Sequence, residues 1–391
     1  MQVLAIIPAR GGSVGIPRKN LHRVGGVPLV GRAVRSALDA RRVTRVVVST
    51  DDARIASCAR DHGGEVIDRP ADLAGPTASS ESALLHALEQ LRSRESYKPD
   101  IVVFIQCTTP LLTADDIDGT IERLIAQEAD SALSVAPFHR YLWQRGDGGA
   151  AKGINHDSSV RKRRQDIEPQ YIETGGVYAM RCDGFLAARH RFFGKIAMHV
   201  TTSDAAIEVD DPADLVVVES LVRAGRSAAT AAMLPASIGA LVLDFDGVFT
   251  DGRVTVDETG VESVTCSRRD GMGLTRLRER GLPILVLSKE TNPVVARRCE
   301  KLRLECQHGI DDKLPALQHW AKQRQVSREA LVYIGDDVND LACLRWAGCG
   351  VTVADGHTSA LAAANVTLAS AGGHGAVREL CDLIEQKLEG A

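Results

Sequence analysis

The sequence predicts a two-domain α/β protein whose mostly parallel strands are covered by helices on both faces. Three observations carry that expectation. Short β-branched runs alternate with amphipathic stretches through the first part of the chain. A fresh apolar strand begins at Ile238, after a stretch of small residues. A length of 391 residues also exceeds what one typical core encloses.

Strands are expected at 3–8, 45–50, 64–68, 101–106 and 131–136, where Val and Ile cluster. Helices are expected between them at 30–41, 52–62, 79–93 and 114–127. From 137 to 206 the pattern loosens into an insertion that carries a basic run, Arg161-Lys-Arg-Arg164. A helix follows at 212–224. The Ala- and Ser-rich stretch after it has little periodicity, which places a linker at 226–237 between domains 1–225 and 238–391. The chain shows no internal repeat.

A net charge of −4 with mixed signs lacks the basic footprint of a nucleic-acid-binding protein. No apolar run approaches the ~20 residues that span a bilayer, and no secretory leader is expected before the first strand. A soluble cytoplasmic protein without membrane or nucleic-acid partners is expected. The nine cysteines are scattered and form no C-x-x-C pair. They read as thiols in a reducing compartment and not as a disulfide frame or zinc site.

The first strand runs directly into Arg10-Gly-Gly-Ser13 and Gly15-Ile-Pro-Arg-Lys-Asn20. Glycines let backbone N–H groups turn around an anion, and Arg10, Arg18 and Lys19 bring the charge a triphosphate needs. A plain Gly-rich turn is the alternative, and the crowding of three cations around the glycines favours the phosphate cradle. The spacing matches neither the P-loop nor the dinucleotide-binding fingerprint.

In the second domain, Asp244 and Asp246 stand at the end of an apolar strand. Alternate strand residues face opposite ways, so this pair works together only where the strand has ended. Further on come Ser288 at another strand end, Lys313 in Gly309-Ile-Asp-Asp-Lys313, and a carboxylate cluster of Asp336, Asp337 and Asp340. Any one of these aspartates also reads as a turn residue. Four such features in order point instead to a carboxylate nucleophile with Mg²⁺ held by hard oxygen ligands.

These residues resemble the haloacid dehalogenase phosphatase superfamily over about 238–391. Asp246-Gly-Val-Phe-Thr-Asp-Gly252 and Arg269-Asp-Gly-Met-Gly273 bring them closer to sugar-acid phosphatases of the Kdo-8-phosphate phosphatase type. The resemblance implies Asp244 as nucleophile, Asp246 as general acid and later base, and Ser288 and Lys313 on the phosphoryl oxygens. It implies Mg²⁺ among Asp244, Asp246 and Asp336, with Asp340 in support. It also implies a capless parallel sheet, because residues 245–287 leave no room for a cap domain, closed by neighbouring subunits in a tetramer.

Residues 1–222 resemble CMP-sialic acid synthetases and related cytidylyltransferases. The matches are Ile7-Pro-Ala-Arg-Gly-Gly-Ser13 with Gly15–Asn20, then Val48-Ser-Thr-Asp-Asp52, Arg69-Pro70 and Thr77-Ala-Ser-Ser80. Gln106-Cys-Thr-Thr-Pro-Leu-Leu112, Arg164-Gln-Asp166, Glu173-Thr-Gly-Gly-Val-Tyr178 and Ile207-Glu-Val-Asp210 follow in order. This resemblance implies a nucleotidyltransferase-type, Rossmann-like mixed sheet and a dimer formed through it. The CTP triphosphate would lie on Arg10, Gly11, Gly12, Ser13, Lys19 and Asn20, with Lys19 stabilising charge at the α-phosphorus. Arg69 and Ser79 or Ser80 would meet cytosine or ribose. Gln106, Arg164, Gln165, Thr174 and Tyr178 would meet the sugar acid, and Asp210 with Glu208 would hold Mg²⁺.

Three positions depart from the family pattern: Val14 replaces a usual Lys, Glu208 a usual Asp, and Thr174 an Asn common in the family. Arg161–Arg164 reads either as a solvated charge run or as a substrate contact. Asp210-Asp-Pro212 reads as a helix cap as well as a metal arm. The Phe pair in Arg191-Phe-Phe-Gly194 reads as packing or as a sugar-facing wall.

Together the resemblances imply a fused enzyme. One half would release phosphate from a nonulosonic acid phosphate such as a 9-phosphate, and the other would activate the free acid with CTP. Two rivals stand beside it: a cytidylyltransferase whose second domain only drives oligomerisation, and a CMP-sugar-binding scaffold with a degenerate first site.

Overall fold

The computed structural model describes every residue except Val14, Pro76, Arg161, Arg164, Gln165, Gly390 and Ala391. The chain divides into two units, Met1–Arg223 and Ala224–Ala391.

The first unit is built on a seven-stranded sheet. Its order is Ile196–Val200, Ser131–Phe138, Gln170–Arg181, Ile101–Ile105, Val3–Pro8, Arg45–Thr50 and Glu65–Asp68. Val3–Pro8 pairs in parallel with a strand on each side. Its period-two alternation sends Val3, Ala5 and Ile7 into one core and Leu4 and Ile6 into the other. The first core is covered by Val34 and Ala37 of helix Leu29–Asp39 and by Ile117, Ile121 and Leu124 of helix Ala114–Ala126. The second is covered by Leu84, Leu88 and Leu91 of helix Ser80–Glu95. Helix starts are fixed by side-chain caps at Asp52, Ser79 and Thr113, the last forming a reciprocal capping box with Asp116.

The stretch expected to be a loose insertion contributes two sheet strands. Gln170–Arg181 slots between Ile101–Ile105 and Ser131–Phe138, antiparallel to both. Ile196–Val200 adds in parallel at the edge. The sheet is therefore mixed. A register shift between Glu173 and Tyr178 explains why the long strand was hidden in the sequence. Thr174-Gly-Gly176 forms a bulge that breaks the alternation on which strand recognition depends.

The expected linker is also different. One helix runs from Pro212 to Met233, so most of 226–237 is helical. Alanine-rich composition supports a helix even where apolar periodicity fades. Val218 and Val222 pack into the first unit's core, and Ala231 and Leu234 into the second's.

The second unit is a six-stranded parallel sheet ordered Glu305–Gln307, Ile284–Leu287, Ala240–Leu243, Leu331–Ile334, Cys349–Thr352 and Val366–Thr367. Ala240–Leu243 lies between the two strands whose ends carry Ser288 and Asp336. Between Phe245 and Ile284 stand only a two-stranded ribbon, Thr255–Val256 with Glu262–Ser263, and helix Arg268–Glu279. Among the described residues, no helix is long and apolar enough to cross a membrane.

The turn after Asp246 is packed backbone to backbone against Gly372. A Cβ there would overlap the Gly247 carbonyl and come 3.0 Å from the Thr250 carbonyl oxygen. Gly372→Ala should therefore destabilise the C-terminal unit by about 1–3 kcal/mol. Chemical unfolding should show that unit's midpoint lowered and the N-terminal unit's unchanged; an unshifted midpoint would mean the two segments separate at no cost.

Candidate active sites

The loop after Val3–Pro8 forms one wall of a cavity of about 410 Å³ at the carboxyl ends of the parallel strands. Arg10, Ser13, Lys19, Asn20, Arg69, Ser79, Ser80, Gln106 and Asp210 line it together. The loop is held from within. Asn20 Nδ2 donates to the Arg10 carbonyl at 3.0 Å, Arg10 Nη1 to the Gly75 carbonyl at 2.9 Å, and the Gly11 amide to Asp51 at 2.9 Å. Lys19 Nζ donates to the Val209 carbonyl at 2.8 Å and to Asp210 at 3.1 Å. Ser79 caps helix Ser80–Glu95, so the positive end of that helix meets the cavity wall. Arg69 is buried, and its guanidinium donates to the Ser49 hydroxyl at 3.2 Å and to the Ser49 carbonyl. Burial lowers its pKa, and the carboxylate of Asp51 opposes that shift.

Other expected residues lie elsewhere. Arg18 adopts a left-handed conformation at φ 55° and is exposed, outside the cavity lining. Gly11 and Gly12 shape the loop without lining the cavity. Val14, Arg164 and Gln165 fall outside the described residues. Lys162 and Arg163 of the same basic run are exposed, with Arg163 paired to Asp166 at 2.9 Å. Thr174 is fully buried inside the bulge, where it bonds Ser134 and accepts from the Gly176 amide at 3.2 Å. That placement pins the bulge and turns Thr174 away from the cavity expected of it.

Tyr178 is also buried, one layer behind the cavity wall. Its ring stacks on Phe104, centroids 5.3 Å apart, and it is Phe104 that lines the cavity. Its hydroxyl donates to Glu173. Burial, reinforced by Glu173, raises the phenol's pKa. Glu208 is half-buried, and burial together with neighbouring Asp210 raises its carboxyl pKa. The helix at Pro212 is capped by Asp211, which accepts from the Ala213 amide at 2.8 Å, and this leaves the Asp210 side chain to Lys19. Phe104, Cys107 and Thr108 also line the wall. Sequence reading missed Phe104, although its alternate position on a buried strand was the available signal.

The second constellation sits at the ends of three neighbouring parallel strands. Lys313, the first residue of helix Lys313–Gln323, is buried with its ammonium 2.8 Å from Asp244 and 2.7 Å from Asp340. Burial disfavours that charge, but the two carboxylates outweigh it and raise the lysine pKa. Asp340 also accepts from the Tyr333 hydroxyl at 2.6 Å and the Asp336 amide at 3.1 Å. Its acceptor sites are thus largely taken, which makes it a support for its neighbours. Burial and the nearby Asp340 push the Asp244 carboxyl upward.

Among the described residues, oxygens of Asp244, Asp336 and Asp340 lie within 4.8 Å of one another. Three carboxylates against one ammonium leave excess negative charge, and a hard divalent cation such as Mg²⁺ fits that donor set. Asp246 stands outside the trio. Gly247, at φ 71°, turns the chain directly after it, and burial with Glu290 and Glu262 nearby raises its carboxyl pKa. Ser288 is buried at its strand end, its hydroxyl accepting from the Glu290 amide at 3.1 Å. The supporting Tyr333 was not singled out in the sequence, where it reads as one more apolar strand residue.

A basic loop facing a carboxylate arm, and a separate buried Asp–Lys–Asp cluster, define a nucleotidyl-transfer domain and a carboxylate-based hydrolase domain in one chain. Sequence profiles agree: cytidylyltransferase matches residues 4–145 and haloacid dehalogenase-like hydrolase residues 299–380. N-acylneuraminate cytidylyltransferase A of Danio rerio is 30% identical over 395 residues, covering 98% of this chain and 88% of its own length. The Oncorhynchus mykiss N-acylneuraminate cytidylyltransferase is 29% identical with the same coverage. A 3-deoxy-D-manno-octulosonate 8-phosphate phosphatase of Yersinia pestis is 34% identical over 160 residues, covering 40% of this chain and 86% of its own. The chain belongs to the N-acylneuraminate cytidylyltransferase family, with a haloacid dehalogenase-like phosphatase domain at its C-terminal end.

Burial, reinforced by Asp340 and Asp337, pushes Asp336 up to about 7. The unfolded chain releases that proton at the ordinary carboxylate pH, so it binds fewer protons than the folded chain in between. Stability of the metal-free protein should therefore fall as pH rises through that interval. Asp336→Asn removes the ionisation. In a chelator, it should raise the melting temperature near pH ~8 more than near pH ~5; an equal change at both would contradict the shift.

Proposed function

We propose that this protein is a bifunctional enzyme of sugar-acid activation, acting on a nonulosonic acid of the sialic type. The N-terminal domain would join the acid to CTP, giving the CMP-sugar and pyrophosphate. The C-terminal domain would hydrolyse the phosphate ester of the same acid. The observation that carries the reading is the convergence of Arg10, Ser13, Lys19, Arg69 and Asp210 on one cavity, in a chain that also holds the Asp244–Lys313–Asp340 cluster.

In the first reaction the sugar's anomeric hydroxyl attacks the α-phosphorus of CTP. Little covalent work falls to the protein, and the rate comes from positioning and charge neutralisation. Arg10 and the loop amides would hold the triphosphate, Lys19 would exchange Asp210 for the α-phosphate, and Gln106 would meet the sugar acid. In the second reaction the Asp244 carboxylate attacks the phosphoryl group while Asp246 protonates the leaving sugar oxygen. Its raised pKa suits that donation. Asp246 then deprotonates the water that hydrolyses the aspartyl-phosphate. Ser288 and Lys313 would bind phosphoryl oxygens.

Mg²⁺ would be held by Asp244 and Asp336 in one domain and by Asp210 and Glu208 in the other, where it would offset phosphate charge. We place the activity in the cytoplasm. The short span between Phe245 and Ile284 supports a capless second domain. Val254, Val256 and Val261, exposed on and beside its ribbon, support closure by neighbouring subunits in a tetramer, with dimer contacts through the first domain. The completeness of the Asp244–Lys313–Asp340 cluster disfavours a purely oligomerising second domain.

Separate substitutions should separate the activities. Asp244→Asn should abolish phosphate release from sugar-acid phosphates and leave CMP-sugar synthesis from free acid and CTP within about twofold, because the two reactions have separate sites. Lys19→Met should lower CMP-sugar synthesis by about 10²–10³ and leave phosphate release unchanged. Loss of both activities in either variant, or of neither, would contradict the assignment.

A further inference from the structure

Behind the cavity wall lies an arrangement that none of the proposed roles uses. The Arg191 guanidinium sits over two aromatic faces, 4.8 Å from the Phe104 ring centroid and 4.7 Å from that of Tyr178. The two rings are themselves stacked, nearly parallel at 17°. The arginine is anchored by Glu81, with Nε donating to a carboxylate oxygen at 2.7 Å. Both partners are largely buried, with side-chain exposures of 17% and 12%. Glu81 is in the first turn of the helix capped by Ser79, so its charge also suits the positive end of that helix.

We infer that Arg191 is a positioning residue for the sugar-acid half of the first site. The inference rests on the cytidylyltransferase reading above. Phe104 lines the cavity directly, and Tyr178 ties to the Glu173 bulge. One planar cation holds both rings in a fixed orientation and ties them to the helix that carries Ser79 and Ser80. A guanidinium does this because its flat face covers the rings while its edge donates to a carboxylate. A lysine ammonium supplies the charge but neither the flat face nor the fork. The Arg10–Lys19 loop draws its restraints from Gly75, Asp210 and Val209 instead, and Ser79 is held by its own cap on the Ser82 amide at 3.2 Å, so the nucleotide contacts keep restraints separate from this clamp.

The test is steady-state kinetics of CMP-sugar synthesis in the full-length protein, with each substrate varied in turn. Arg191→Met should raise KM for the sugar acid by about tenfold, the scale of a desolvated cation–π contact, and leave KM for CTP within about twofold. Glu81→Gln keeps the stack and loses the anchor, so it should shift the same KM in the same direction by about threefold; this milder variant carries the test if Arg191→Met does not fold. Arg191→Lys should not restore the wild-type KM. An unmoved sugar-acid KM, an equal rise for both substrates, or full rescue by lysine would overturn the inference and leave the cytidylyltransferase reading standing. A wild-type protein that forms no CMP-sugar from any sugar acid would remove that reading and this inference with it.

Discussion

In each half of the chain, one lysine ammonium restrains carboxylates that would otherwise repel one another and the substrate phosphate. Lys313 is the stronger case. It is buried between Asp244 and Asp340, so its charge must be met by theirs and theirs by it. Removing Lys313 would leave two buried carboxylates facing each other with no compensating charge in a low-dielectric interior. The cluster is therefore both a stability constraint and a candidate site, and the packing of the second sheet has to keep three strand ends in register around it. Lys19 does the same job at a wetter location, reaching across to Asp210 and the Val209 carbonyl.

Both arrangements follow from the geometry of parallel strands. All strands of such a sheet end on one edge, so residues just past them converge although they are far apart in sequence. Val3–Pro8 leads into the basic loop while Ile101–Ile105 beside it leads to Gln106. Ala240–Leu243 leads to Asp244 while its neighbours lead to Ser288 and Asp336. Tight backbone contacts then set the turns. Gly247 at positive φ, packed against Asp336, is one point where a side chain would displace the Asp336 carboxylate.

Much of this was legible beforehand because it is written in local pattern. The strands bearing Arg10, Asp244, Ser288 and Asp336 are short apolar runs followed at once by polar residues, and the groups predicted after them lie at strand ends. What stayed hidden depends on tertiary context. The bulge at Thr174-Gly-Gly176 disguised a central antiparallel strand, and it turned Thr174 into a pin for that strand. Tyr178 proved to stand behind Phe104, which no sequence spacing distinguishes from standing in front of it. The linker was read from fading periodicity, yet alanine carries the helix through to Met233. The Glu81–Arg191 pair joins residues far apart in sequence and has no local signature.

A chain that holds both activities is expected to perform two steps in order: ester hydrolysis first, then transfer of CMP to the freed acid. The decisive measurement is a ³¹P NMR time course with wild-type protein, CTP, Mg²⁺ and a phosphorylated nonulosonic acid. Inorganic phosphate should appear first, and CMP-sugar without the ester phosphate should follow after a lag, together with pyrophosphate. A CMP-sugar that still carries the ester phosphate, or phosphate release with no CMP-sugar ever forming, would contradict that sequence of steps.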